Sequence, residues 1–161
     1  MYPQLLKKSY FQNDIYEDIL TVIKSLESQD YFDELIGKSQ PEQKEMVKKF
    51  QKDLFLILTE RIVDVRWELE YQPKSARRDA IDIYGKAEGF IIIIELDKHR
   101  ADQVAKKFIS RSALFANEKT FYISLCYPGT EKMSKPETIK YFEYCQILSE
   151  KIGHHYAGFI I

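Results

Sequence analysis

The chain has 161 residues, 45% hydrophobic, 14% aromatic and 30% charged, a balance that fits one packed domain burying roughly 70% of its unfolded surface. Its 24 Lys and Arg against 25 Asp and Glu give a formal net charge of −1, which excludes a globally basic nucleic-acid binder and leaves only local patches for phosphate. No apolar run approaches the ~20 residues of a membrane span and no signal peptide is recognisable, so a soluble cytoplasmic protein without a membrane partner is expected. Cys126 and Cys145 lack ligand spacing and read as reduced core thiols, in keeping with that compartment.

Ile15, Ile19, Val22, Ile23 and Leu26 recur at helical spacing, so residues 1–40 are read as a helical N-terminal extension that Gly37 to Pro41 ends. A second helix opens on Ser39-Gln40-Pro41-Glu42, which has capping-box spacing, and continues through Met46, Val47, Phe50, Leu54, Ile57 and Leu58. The period then changes. Val63, Val65, Trp67, Leu69 and Tyr71 alternate with Asp64, Arg66, Glu68 and Glu70, predicting a strand with one polar face. Two further strands follow, Ala80 to Tyr84 and Ile91 to Lys98, with Gly85 to Gly89 read as their turn. Ala101, Val104, Ala105, Phe108, Ser112 and Phe115 predict a helix, Thr120 to Cys126 a strand stopped by Pro128-Gly129. A last helix begins at Ser134-Lys135-Pro136-Glu137, and Tyr156 to Ile161 is apolar enough to dock as a strand. Repeats, low-complexity segments and linkers are absent from the sequence, so residues 1–161 read as a single domain with its core at 41–130 and a C-terminal helix and strand at 131–161.

The chemistry concentrates on the two middle strands. Ile91 to Ile94 is a β-branched run suited to a central strand covered on both faces, and it ends in Glu95-Leu96-Asp97-Lys98. Ionised side chains at the end of such a strand must be paired, bind metal or open to a cleft. Asp82 lies thirteen residues before Glu95, on the neighbouring strand of the hairpin. Glu95 and Asp97, two apart, project from one face and can reach one ion together. Lys98 points to the other face of a regular strand and would need a bulge to join them.

This pattern of Asp on one strand and Glu95-Leu96-Asp97 at the end of the next resembles the PD-(D/E)XK nuclease superfamily, whose motif is Asp followed by (Asp/Glu)-x-Lys. Asp97 stands where that motif has its lysine, and Lys98 follows one place along. The resemblance implies an α/β, restriction-endonuclease-like αβββαβ core with a mixed central sheet flanked by helices. It also implies a Mg²⁺- or Mn²⁺-dependent phosphodiesterase acting on DNA, with Asp82, Glu95 and Asp97 as metal ligands. Lys98, Gln103 and Arg111 are carried over as assistants beside those three acids. Mg²⁺ takes carboxylate, water and phosphate oxygens and lowers the pKa of a bound water, which is why such a motif needs acids at these places.

Arg100, Gln103, Lys107 and Arg111 fall on one stripe of the helix after the acidic strand. Arg100, Lys107 and Arg111, with Arg78 before Asp82, are the expected nucleic-acid contacts; Arg77 and Arg78 have cross-strand pairing with Glu68 or Glu70 as their alternative. An acid on the preceding helix often completes the family's metal site, and Glu42, Asp53 and Glu60 lie near its apolar edge without one standing out. His154-His155 has no third ligand at metal spacing and reads as surface or interface. The rival to an active enzyme is a catalytically inactive nuclease-like domain that binds nucleic acid or another protein, a reading that Asp97 at the lysine position sustains. A homodimer is compatible with either.

Overall fold

Ile91, Ile92, Ile93 and Ile94 are each 0% exposed, because their strand runs through the middle of a six-stranded sheet with helices on both sides. The computed structural model describes residues 1–74, 80–130 and 132–161. In chain order the elements are β1 (Gln4–Lys8), α1 (Asp14–Ser25), α2 (Gln29–Phe32), a 3-10 turn (Leu35–Gly37), α3 (Gln40–Arg61), β2 (Arg66–Tyr71), β3 (Ile81–Ala87), β4 (Phe90–Lys98), α4 (Ala101–Leu114), β5 (Thr120–Tyr127), α5 (Lys135–Lys151) and β6 (His155–Ile160). The sheet order is β1-β6-β5-β4-β3-β2. β2, β3 and β4 form an antiparallel meander, β4, β5 and β6 run parallel, and β1 closes the far edge antiparallel to β6. The chain is thus an α/β protein with a mixed sheet, and α3, β2, β3, β4, α4 and β5 follow in the order that periodicity predicts.

Alternation along β4 and β5 divides the interior into two cores. Ile92, Ile94, Phe121, Ile123 and Leu125 pack with Ile19, Ile23, Phe50 and Leu54 under α1 and α3. Ile91, Ile93, Tyr122 and Cys126 pack with Val104, Phe108, Phe142 and Cys145 under α4 and α5. Both cysteines are free and buried there. At the start of α3, Ser39 and Glu42 form the capping box, with the Ser39 N–H donating to Glu42 Oε2 at 2.8 Å. Ser134 caps α5 by accepting from the Glu137 N–H at 3.2 Å. Among the described residues, no helix is long and apolar enough to cross a membrane.

Three local expectations change. The extension before residue 40 is not wholly helical: Gln4–Lys8 forms the edge strand β1, five residues with a register shift between Leu5 and Lys7, too short and irregular to show a period of two. The turn between the acidic strands is only Glu88-Gly89, with Gly89 at φ 81°. Gly85 instead belongs to β3, where a Cβ would come within 2.8 Å of Val65 Cγ1 and 2.9 Å of the Trp67 ring. The indole lies against bare backbone there, so a glycine inside a strand marks close packing rather than a turn. The first residues of the predicted strand from Val63 turn before the ladder begins at Arg66.

Candidate functional site

Ile83 pairs with Ile94 across β3 and β4, so the next step of that register sets Asp82 beside Glu95. Ile81 packs in the α4-side core and Ile83 in the α3-side core, although two residues apart on a flat strand would share a face. The partner strand turns over at the same level. Leu69 pairs with Ile83 and Tyr71 with Ile81, and Glu70 between them has φ 49°, a left-handed conformation uncommon for glutamate. Asp82 therefore sits where β3 rotates, in reach of both sides of the sheet.

Its Oδ2 accepts the Leu96 N–H at 2.8 Å, and its backbone carbonyl accepts from Gln51 Nε2 of α3 at 2.7 Å. Glu95 and Asp97 point from β4 towards α4. Lys107, two turns into α4, places its ammonium nitrogen 3.0 Å from Glu95 Oε2, 3.1 Å from Asp97 Oδ1 and 3.3 Å from Asp82 Oδ2. It also donates to the Leu96 carbonyl at 3.2 Å. One turn further, Arg111 Nε donates to Glu95 Oε1 at 2.7 Å and Nη2 to the Ala80 carbonyl at 3.0 Å. Three carboxylates and one carbonyl thus surround a single point, which a helix-borne ammonium occupies.

The cluster is dry. Glu95 is 1% and Asp97 9% exposed, so desolvation dominates their protonation. Burial first, then repulsion from Asp82, pushes Glu95 up to about 8 against the pull of Lys107 and Arg111. Burial likewise pushes Asp97 up to about 6, opposed chiefly by Lys107. The Lys107 ammonium loses solvation too, but Glu95, Asp82 and Asp97 outweigh that loss and hold it above the ordinary lysine range. Three carboxylates against Lys107 and Arg111 leave one negative charge unmatched in a low-dielectric setting, where a proton or a further cation is strongly favoured. Glu95 Oε2 marks the place: it lies 3.0 Å from the ammonium yet receives no directed hydrogen bond.

The other predicted residues separate. Lys98, on the opposite face of β4, donates to Gln43 Oε1 of α3 at 2.9 Å and lies away from the cluster. The expected α4 stripe splits as well: Lys107 and Arg111 turn into the acids, whereas Arg100 and Gln103 both bond to Asp102 near the exposed start of the helix. Of the α3 acids, Glu42 caps its helix and Asp53 accepts from Tyr31 at 2.7 Å. Arg77 and Arg78 lie outside the described residues. His154 is not a surface residue: it is buried and its Nδ1 accepts the Thr120 N–H at 3.3 Å, while His155 is half-buried with its ring stacked on Phe11 at 3.8 Å.

Two residues of the site, Gln51 and Glu70, do not stand out in the sequence. Gln51 is 5% exposed and donates to Glu70 Oε1 at 3.0 Å as well as to the Asp82 carbonyl. A glutamine between Phe50 and Leu54 on the apolar side of α3 is the signal that could find it. Among the described residues, no three His, Cys, Asp or Glu side chains stand ready for a metal ion, since Lys107 holds the point they share. The donor chemistry nevertheless fits a hard divalent cation, being all oxygen with unmatched negative charge.

No family model matches the chain, and no curated protein matches it. Among solved structures, Pyrococcus furiosus SfsA in complex with Ca²⁺ aligns at a TM-score of 0.42 and 9% identity. The alignment covers 70% of this chain and 57% of that one, so the chain spans little over half the length of that protein.

Proposed function

We propose that this chain is a nuclease of PD-(D/E)XK type, hydrolysing DNA phosphodiester bonds with Mg²⁺ or Mn²⁺. The convergence of Asp82, Glu95 and Asp97 with the Lys107 ammonium carries the reading, because it assembles the three acids and the lysine of such a site, the lysine coming from α4. Asp82, Glu95, Asp97 and the Leu96 carbonyl would hold the ion. Bound there, the ion would lower the pKa of a water and offset charge on the leaving oxygen.

Displaced from that point by the ion, Lys107 would act as the motif lysine does, orienting the attacking water and balancing charge on the phosphate. Arg111 keeps Glu95 in place through Oε1 and so fixes the carboxylate that faces Asp82. The Leu96 N–H and Gln51 fix Asp82 from both sides of the sheet. Lys98 and Gln103 stand outside this arrangement.

Hydrolysis of single-stranded, duplex and branched DNA with Mg²⁺ or Mn²⁺ tests the reading. Cleavage is expected from the wild type and not from Asp82→Ala, and calorimetric titration with Mn²⁺ should show a site lost in Asp97→Asn. A second reading has an observation of its own: Lys107 already neutralises part of the cluster without metal. In a catalytically inactive nuclease-like domain that ammonium would be a permanent substitute for the ion. No Mn²⁺ site together with no hydrolysis would favour this alternative, leaving a nucleic-acid-binding or protein-interaction module.

A further inference from the structure

Asp82 lines a second feature, a cleft of about 460 Å³ between α3 and the end of the sheet. Lys44 and Lys48 form part of the α3 wall and Lys98 part of the sheet wall, with Gln43, Gln51 and Glu70 between them. Lys44 and Lys48, four residues apart, lie on one side of the helix with Cβ atoms about 5–6 Å apart. Both are exposed, and among the described residues neither has an ion-pair partner. Lys98 is half-buried, and its bonded partner is the neutral Gln43 amide. Of the acids in the same cleft, Asp82 is bonded to Leu96 and Lys107, while the exposed Glu70 accepts from the neutral Gln51 amide and keeps its charge. Three lysines therefore line a cleft in which Glu70 is, among the described residues, the one carboxylate without a cationic partner, a positive excess suited to a repeating anion.

The size narrows the anion. A cleft of this volume lies in the range that holds a small ligand, about one or two nucleotides of a single strand. A positively charged groove that tracks a backbone is the usual means of gripping one strand without reading its bases. Tyr127, the aromatic side chain on the lining, is itself buried and stacked on Phe32 at 5.2 Å, so it offers no free platform for stacking. Phosphate contacts must supply the affinity.

We propose that this cleft is the track for a single nucleic-acid strand, with Lys44, Lys48 and Lys98 holding its phosphates and presenting the next phosphodiester at Asp82. The proposal rests on the nuclease reading for what happens at Asp82, but the strand's grip does not depend on metal. That independence separates the two tests. Anisotropy of a labelled oligothymidylate and of a duplex of equal length, both without divalent metal, measures the track alone.

Single-strand binding should exceed duplex binding and weaken with salt. The slope should fall by about 0.7 for each phosphate no longer held, hence by about 1.4 in Lys44→Ala/Lys48→Ala. A control that removes lysines elsewhere, Lys24→Ala/Lys140→Ala/Lys151→Ala, should bind as the wild type does, and thermal unfolding should show both variants folded. Duplex binding as tight as single-strand binding would overturn the track, as would single-strand binding indifferent to the α3 lysines or no binding at all. Lysine-dependent strand binding by a protein that never hydrolyses DNA would keep the track and remove the nuclease reading. Hydrolysis that is unaffected by the α3 lysines would do the reverse.

Discussion

The two sides of the sheet end treat charge differently. On the α4 side, Lys107 and Arg111 are locked onto Asp82, Glu95 and Asp97 in a largely buried cluster. On the α3 side, Lys44, Lys48 and Lys98 line an open cleft in which they outnumber the carboxylates of Glu70 and Asp82. The pleat of β4 makes the division: Glu95 and Asp97 go one way, Leu96 and Lys98 the other. Four consecutive residues therefore contribute to two chemically distinct regions, a buried ionic cluster and an open cleft lined by lysines. Asp82, at the rotation of β3, touches both.

Lys107→Met is the strongest way to break that assignment. If the α4 side performs the chemistry, removing its ammonium should cost ~10²–10⁴-fold in DNA hydrolysis, as for other proton-handling or positioning groups. Lys98→Met should cost far less and should act through substrate affinity. Rates for the two variants at saturating and at limiting substrate decide between them. Equal losses in both would mean that the sides are not divided.

Arg111→Met attacks the same side through stability. Arg111 is 5% exposed and bonded to a carboxylate that is 1% exposed. Removing Arg111 leaves the three acids facing Lys107, and breaking such a buried pair typically costs about 3–5 kcal/mol. Denaturant unfolding should register a loss of that order, while the exposed Lys44→Ala should be nearly silent. The double variant Arg111→Met/Glu95→Met should recover much of the loss, since neither charge then remains buried.

Much of this architecture is legible in the sequence. The period-two run at 65–71, the isoleucine run of β4, the capped α3 and α5, and the thirteen-residue step from Asp82 to Glu95 predict the meander and its acids because each depends on local spacing. Lys107 is visible too, but as one of a stripe, since helix spacing says which residues share a face and not what that face meets. Its neighbour Arg111 shows the limit: a charged residue between Phe108 and Phe115 becomes an interior residue only because Glu95 waits beneath it. Lys98 is readable as pointing away from Asp97, which is where it points. The α3 lysines carry no signal, because only the tertiary fold brings residues 44 and 48 beside residue 98.

The cluster should also respond to pH in a defined sense. Glu95 and Asp97 are held at about 8 and about 6 in the folded chain, above the ~4.3 and ~3.9 of exposed carboxyls. The folded state therefore binds more protons than the unfolded state between about pH 4 and 8. Their contribution to stability is complete below about pH 4 and is lost as pH rises through those values, with a slope of at most about 1.4 kcal/mol per pH unit for each proton involved. Urea unfolding from pH 5 to 8 should show this decline, and Glu95→Gln should flatten it. A saturating divalent cation should also flatten it if the acids hold metal, since the ion replaces the proton. The α3 side predicts no such dependence, so variants at Lys44 and Lys48 should leave the slope unchanged.

The smallest effect belongs to Lys98 itself. Its ammonium has the Gln43 amide as bonded partner, at 2.9 Å, and it is half-buried, so Lys98→Met gives up one hydrogen bond while sparing a partly desolvated charge. A net hydrogen bond to a charged group contributes about 1.5–3 kcal/mol, but the relief of desolvation offsets part of that. Stability should therefore change by no more than about 1 kcal/mol in either direction. Strand affinity at low salt should fall while metal binding at the α4 side stays intact, since Leu96 and Asp97 keep their own partners. Calorimetry with Mn²⁺ on Lys98→Met measures this. A lost metal site would show that Lys98 serves the carboxylates after all and would merge the two sides into one.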